Sequence, residues 1–586
     1  MRPRAVLPAG DRALLVELGS IDAVMAAHAA LTAQPLPGQV EAVAAAATVL
    51  VRFETPRSAA SGAECLRALD VDAAHAPEGR EIAINVVYDG EDLQVAADAL
   101  RIGTEALIER HTRQAWRAAF AGFAPGFVYC DAPDGGWETP RRDEPRTRVP
   151  AGSVGLAGAF SAVYPTASPG GWQLIGRTDA RLFDPDRTPP ALIAPGDRVR
   201  YRAVRAQATA GTRAAADTGD RPQTAEPAAG AQPAEPASQA AHGPAATASG
   251  TSPTPSAAAP PAEAPAARPQ PGSRVLRIES PGLQALSEDA GRAGLGDQGV
   301  SRSGAADREA FAQANRLVGN PEGTPAIEIL LGGLTATALA DCALAVTGAQ
   351  CPIDVKYDGA VHRMPLCAPF AVPAGARLSL GRPSAGMRAY LALRGGFDLP
   401  RTLGSSASDV LSGLGPPPLA AGDELRAPIP AASAPGGAAD PAGASPNPGC
   451  GLSAAGDPEP TTLREAVLRV IPGPRADWFE PAALEALTAG AWTVTERSNR
   501  VGLRLEGERP LKRAREGELL SEGMVFGSVQ VPPSGQPVVF LADHPVTGGY
   551  PVIATVITAD LPIAAQAAPG TALRFALAPP KEPDHG

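Results

Sequence analysis

Lysine is nearly missing from this chain of 586 residues. Lys356, Lys512 and Lys581 are the only ones, and arginine supplies the other positive charge. No Gly-x-x-x-x-Gly-Lys-Ser/Thr phosphate loop is present, no lysine sits in a biotinyl-lysine setting, and none lies beside a Gly/Ser-rich segment as a Ser-Ser-Lys amidase requires. Aromatic residues are also scarce, at 4%, so the 44% hydrophobic content must build its core largely from aliphatic side chains. The six cysteines are scattered without a Cys-x-x-Cys pair, which argues against a disulfide framework or a zinc site. No His-x-x-x-His pair or carboxylate cluster points to a tightly held metal. No apolar run reaches the roughly 18 residues of a membrane span, and Met1 to Gly10 holds no signal-peptide core. A net charge of −11 gives no attraction to a phosphate backbone. The expectation is a cytoplasmic protein that binds neither nucleic acid nor membrane.

Glycine and proline are abundant, with 63 of each. Residues 205–272 are mostly Ala, Pro, Thr, Ser and Gly, and residues 427–460 repeat that character. Such segments bury too little apolar surface to offset the entropy of ordering, and read as disordered linkers. They divide the chain into 1–204, 273–426 and 461–579. In the first block, strand patterns at 13–18 and 47–53 alternate with helix patterns at 21–32 and 58–69, so residues 1–85 read as a small α+β subdomain. A strand at 82–87 and a helix over 95–111 follow. Short strands between Gly/Pro turns then run to Tyr201, so residues 86–204 read as a barrel or sandwich. Blocks 273–426 and 461–579 read as two further β domains, with a brief helix at 307–317. No internal repeat is evident. The fold class is α+β, rich in β-structure.

The densest segment runs from His111 to Thr178. It contains GFAPGFVY at 122–129, PRRDEPRTRVPAGSVGLAG at 140–158 and YPTASPGGWQLIGRT at 164–178. Arg141, Arg142, Arg146 and Arg148 crowd one loop and strand. They read either as an anion-binding wall, since guanidinium forks match carboxylate and phosphate oxygens, or as a solvated loop pairing with Asp143 and Glu144. Of the seven histidines only His111 and His544 adjoin motif strings, which makes them the candidates for proton chemistry. Asp543 is placed to tune His544 unless neighbouring strand residues face apart.

These strings, with GDRALLVELG near the start and APGDRVRY at 194–201, resemble the B subunit of 5-oxoprolinase, also called allophanate hydrolase subunit 1. The later strings DAGR (289–292), GVSRSGAAD (299–307), ANRLVGN (314–320), RAYLALRGG (388–396), SNRVGLRL (498–505), GSVQVP (527–532) and ADHPVTGGYP (542–551) resemble the C subunit of 5-oxoprolinase, or allophanate hydrolase subunit 2. Both belong with the biotin-type carboxyltransferase domain family. Three departures stand out: an arginine usual in the family is replaced by Ser406, a Gly-Gly-Arg by Gly415-Pro416-Pro417, and a glutamine by Glu288.

The resemblance implies cyclophilin-like β-barrels in both halves. It also implies a close intramolecular contact between the B-like and C-like halves, and a separate protein partner like the A subunit of 5-oxoprolinase. The implied activity is ATP-dependent hydrolysis of 5-oxoproline to glutamate, with Mg2+ accompanying ATP and no covalent biotin on this chain. The alternatives are a carboxyltransferase of urea amidolyase type, acting on urea or a related amide, and a regulator that binds a histidine kinase. On the first reading His111, Asp543, His544 and Tyr550 are the catalytic candidates. Gly126, Arg141, Arg146, Arg148, Gly152, Ser153, Gly170, Gly171, Arg292, Ser303, Asp307, Arg500 and Gln530 would bind the small-molecule amide substrate or its anionic groups. Backbone amides near Gly126, Gly152 and Gly170 would stabilise developing charge.

Overall fold

A computed structural model describes residues 2–70, 79–142, 144–205, 272–428, 465–517 and 519–579. The two stretches read as linkers, 205–272 and 427–460, fall almost wholly outside the described residues. Strands outnumber helices throughout, and each half holds a β-barrel.

The N-terminal unit is a four-stranded antiparallel sheet. Its strands lie in the spatial order Ala5–Pro8, Ala13–Glu17, Thr48–Phe53, Gln39–Ala44. Helices Ile21–Ala33 and Pro56–Arg67 cover one face. Ser20 caps the first through the Ala23 N–H. Thr55 and Ser58 form a reciprocal capping box on the second, with Pro56 just inside, where a missing N–H costs nothing. The run Ala13-Leu14-Leu15-Val16 is buried throughout rather than alternating. Leu14 and Val16 pack under the helices. Ala13 and Leu15, with Leu50 and Val43, pack instead against Val525 and Val546 of the C-terminal half. A sheet covered on both faces needs a continuous apolar run.

The first barrel comprises strands Glu81–Val86, Trp116–Ala121, Val128–Asp131, Ser153–Ala157, Phe160–Val163, Gln173–Arg177 and Arg198–Ala203. Paired hydrogen bonds of 2.9 Å between Val87 and Arg177 join its two edge strands. The single helix expected over 95–111 is two, Leu93–Ala99 and Thr104–Arg113. Arg101 between them turns the backbone left-handed at φ 57°.

Residues 272–428 form two sheets, of six and five strands, packed around one shared apolar core. Helix Arg308–Leu317 lies over the five-stranded sheet, capped by Asp307 on the Ala310 N–H.

The C-terminal unit is a closed barrel of strands Glu465–Pro472, Ala491–Val494, Gly502–Glu506, Ser528–Gln530, Val538–Phe540, Val552–Val556 and Ala572–Leu577. Numbered in chain order, the strands of both barrels run 1-6-4-5-3-2-7 around the wall, with the first and last parallel. The likeness reaches single residues. The Trp116 indole N–H donates to the His111 carbonyl at 3.0 Å, and that of Trp492 to the Leu487 carbonyl at 2.9 Å. Each ties the second strand of its barrel to the helix before it. The two barrels are a duplication that the sequence reading missed. The strings APGDRVRY at 194–201 and APGTALRF at 568–575 carried it.

Candidate functional site

His111 lies inside the first barrel, fully buried. Its Nδ1 bonds to the Tyr88 hydroxyl at 2.7 Å and its Nε2 to Ser161 Oγ at 2.9 Å. Tyr201 stacks on the ring at 4.4 Å, with Trp116 and Trp137 alongside. Burial pushes its pKa down to about 3. A neutral ring with both nitrogens committed fastens the barrel core, and this geometry does not supply the proton chemistry expected of it.

The arginine-rich loop turns inward on its own half. Arg142 and Arg146 both donate to Asp92 Oδ1 at 2.9 Å, and Arg146 also to Glu91 at 3.1 Å. The second oxygen of Asp92 accepts the Leu174 N–H at 2.8 Å. Burial opposes the Asp92 charge, but the Arg146 hydrogen bond, the Leu174 N–H and the two guanidinium charges together hold its carboxyl below the usual range. Arg142 and Arg146 are thus anchored on Asp92 and Glu91, and the expected pairing with Asp143 lies outside the described residues. Arg141 and Arg148 are exposed.

The glycine amides are spent as well. Gly126 N–H donates to the Gln298 carbonyl and Gly152 N–H to that of Tyr164, so neither is left for a developing charge. Gly170 pairs with Arg146 in a short ribbon, and Gly171 accepts from Arg142. Ser153 is buried in a barrel strand. Gln530 donates to the Tyr550 carbonyl at 3.1 Å, while the Tyr550 ring is exposed under Arg513. Arg292 is buried on the carbonyls of Thr402 and Ala407.

Five expected residues do converge: Ser303, Asp307, Arg500, Asp543 and His544. Arg500, from the C-terminal barrel, reaches Asp543 at 2.9 Å, Glu328 at 2.5 Å and the Gly304 carbonyl at 2.7 Å. Ser303 Oγ donates to Asp543 at 2.6 Å, and Asp307 accepts from Gln566 at 2.9 Å. Glu288 lies 3.2 Å from Arg500 and is wholly buried. Burial pushes its carboxyl well above the usual range. Arg500 opposes this, but Glu328, Asp543 and Asp289 add to it. Arg500 and Arg388 engage Glu328 and Asp543 directly, so the charge on Glu288 is disfavoured.

This network backs a cavity of about 400 Å³ walled by three units. The N-terminal sheet contributes Arg12 and Arg52, the middle unit Arg302 and Arg308, and the C-terminal barrel His544. Arg52 is paired, donating to Glu41 at 3.1 Å, and Glu41 also accepts the Gly296 N–H across the halves at 2.7 Å. Arg302 donates to the Ala290 carbonyl at 3.1 Å. Arg308 reaches only the Ser303 carbonyl, at 3.5 Å, and its buried Nε has no partner. Neither Arg302 nor Arg308 pairs with a carboxylate among the described residues. Burial pulls the Arg308 pKa well below the ordinary arginine value, and the charges of Arg302, Arg52 and Arg12 pull the same way.

His544 bonds through Nδ1 to the Pro545 carbonyl at 2.8 Å. A carbonyl only accepts, so Nδ1 carries the proton and Nε2 presents a lone pair. Burial lowers the ring pKa to about 4, with Pro545 opposing and Arg52 reinforcing. The cavity thus offers guanidinium donors and a neutral base. Sequence reasoning passed over Arg12, Arg52, Arg302 and Arg308, because they lie far apart along the chain. The one local signal was Ser301-Arg302-Ser303-Gly304, an arginine framed by turn residues.

Residues 4–193 match the family model described as carboxyltransferase domain, subdomain C and D, and residues 298–577 match subdomain A and B. The chain is 38% identical to the 5-oxoprolinase C subunit of Escherichia coli over 51% of its own length and 90% of that protein. It is 43% identical to the 5-oxoprolinase B subunit of Escherichia coli O157:H7 over 28% of its length and 78% of that protein. The urea amidolyase of Saccharomyces cerevisiae is 31% identical over 51% of this chain but only 16% of itself. Among solved structures, TTHA0988 superposes with a TM-score of 0.70 at 31% identity, covering 96% of this chain and 99% of that one.

Proposed function

Since the chain belongs to the carboxyltransferase-domain family, with a B-like half ahead of a C-like half, we propose that it is the B–C component of an ATP-dependent 5-oxoprolinase. It would act with a separate A-like protein to open 5-oxoproline to glutamate. The observation that carries this reading is the arginine-lined cavity, which neither half encloses alone.

Opening an unstrained lactam needs coupling to a second reaction, and ATP enters as that co-substrate. Its magnesium would come with the nucleotide. The part played by this chain is to bind and orient. Guanidinium groups hold the anionic oxygens of the ligand. The neutral His544 ring accepts a proton or a hydrogen bond through Nε2. Among the described residues no helix is long and apolar enough to cross a membrane.

A test is to purify the chain with an A-like partner and measure phosphate and glutamate release on adding 5-oxoproline and ATP. The expected result is coupled release of both, lost when either protein is omitted. Turnover of urea with a carboxylated biotin carrier, and none of 5-oxoproline, favours the second reading. That reading draws on the urea amidolyase likeness, which spans half of this chain.

A further inference from the structure

Like charges wall the cavity from two sides. Arg12 and Arg52 stand on the N-terminal sheet, and Arg302 and Arg308 face them from the other half. Guanidinium groups that confront each other across a seam repel, so bringing the halves together is opposed unless an acid lies between them. Asp11 and Glu54 also line the cavity. Asp11 is taken up by Thr558, whose hydroxyl it accepts at 2.7 Å, and Glu54 forms no ion pair among the described residues. The cavity arginine that does meet a carboxylate there is Arg52, and the carboxylate is Glu41 at 3.1 Å.

Glu41 acts in three directions. It stands opposite Arg52 on the neighbouring strand, so the two side chains share one face of the sheet. Its second oxygen accepts the Gly296 N–H of the other half at 2.7 Å. Its charge also reaches Arg302. There burial and the Arg52 charge pull the guanidinium pKa down, and Glu41 opposes them.

The loop that carries Arg302 shows why one carboxylate can matter to both walls. Residues 292–302 close on themselves through the Arg292 N–H and the Arg302 carbonyl at 2.7 Å. The tip of the loop is seated in the first half, where Gln298 accepts the Gly126 N–H through its carbonyl at 2.9 Å. A Cβ on Gly296 would stand 2.8 Å from the Glu41 carboxylate, and one on Gly299 would stand 2.3 Å from the Ala124 carbonyl. The tip therefore fits without slack, and Arg302 belongs to the closing pair of the same loop.

We propose that Glu41 is the positioning residue of the cavity, a shared counter-ion that fixes Arg52, offsets Arg302 and pins the loop 292–302 so that two cationic walls can close on each other. This role is independent of the molecule the cavity takes, and it stands or falls apart from the functional reading above. A tie made only of hydrogen bonds would be equally weakened at every ionic strength. A counter-ion leaves like charges behind when it is removed, and added salt screens them.

The test is hydrogen exchange of the amides in residues 292–302 of the full chain, followed by mass spectrometry at about 0.05 M and about 1 M NaCl. Glu41→Gln keeps an oxygen for the Gly296 N–H and removes the charge. Its loop should exchange about tenfold faster than wild type at low salt, the scale of a lost charge-assisted bond. At high salt it should return to within about threefold of wild type, because the arginines are then screened from one another. The double variant Glu41→Gln, Arg52→Gln should regain most of the protection at low salt. Strand Cys342–Gln350, in the core of the middle unit, is the control and should exchange alike in all of them. If Glu41→Gln does not fold, a folded double variant meets the same expectation. Acceleration of equal size at both salt concentrations, no acceleration in Glu41→Gln, or a double variant that exchanges faster than the single one or fails to fold overturns the proposal.

Discussion

At the scale of single residues, Glu288 is a buried carboxyl with poor company. It stands beside Glu328 and Asp543, which Arg500 and Arg388 already engage. Neither of its oxygens has a hydrogen-bond partner, and burial holds its pKa far above the usual glutamate range. A group whose pKa is raised on folding stabilises the fold fully only below its unfolded pKa of about 4.5. As pH rises above that value the unfolded chain releases the proton and the folded chain keeps it. Stability therefore falls until the folded pKa is reached. Glu288→Gln supplies a neutral side chain of the same shape. It should raise stability by about 1 kcal/mol or more at pH 8, the scale of relieving a badly satisfied buried polar group. Its advantage should shrink to near zero around pH 4. Urea unfolding of both proteins at pH 4, 6 and 8 checks this; a constant difference across that range contradicts the argument.

At the scale of elements, the loop 299–307 decides whether the cavity exists. Ser303 combines a positive φ of 53° with a 2.6 Å bond to Asp543. The two features can be separated. Ser303→Gly loses the bond but relaxes the backbone, whereas Ser303→Ala loses the bond and keeps the strain. The alanine variant should be the less stable by about 1 kcal/mol, since only glycine enters the left-handed region freely. Chemical denaturation of the pair checks it, and equal stabilities would show that the loop bears no strain. Elements were where the sequence spoke most clearly. Helix Ile21–Ala33 and strand Thr48–Phe53 fell within a residue of expectation because their apolar periodicity is local. The break at Arg101 was missed although Gly103, which caps the second helix, marks it, and local bonds from the Arg101 and Ile102 N–H groups to Asp98 and Ala97 close the turn. The site was legible in part. Ser303, Asp307, Arg500, Asp543 and His544 lie in motif strings and do meet. Of the dense arginines, Arg142 and Arg146 are taken up by acids on a neighbouring turn, Glu91 and Asp92, which sequence spacing could not show.

At the scale of the whole molecule, the halves hold each other by more than their connection. Leu15, Leu50 and Val43 on one side bury Val525 and Val546 on the other, and each such side chain contributes about 1.5–3 kcal/mol when removed from water. Polar ties surround that patch. Glu41 meets Gly296, Asp11 meets Thr558 at 2.7 Å, and Arg475 reaches Glu17 at 3.4 Å. Gly122 approaches Thr547 so closely that an added Cβ would stand 2.2 Å from its hydroxyl. A chain cut at a protease site inserted between residues 206 and 271 should therefore remain one particle through size-exclusion chromatography. The same cut in a Gly122→Val, Leu50→Asp double variant should release two folded halves, because one change drives a side chain into Thr547 and the other buries an unpaired charge in the apolar patch. Only the first sample should retain 5-oxoproline binding, since Arg12 and Arg52 come from one half and Arg302, Arg308 and His544 from the other. If the cut wild-type chain falls apart on its own, then covalent connection rather than surface complementarity assembles the cavity, and the affinity for ligand should depend on the length of the segment between residues 206 and 271.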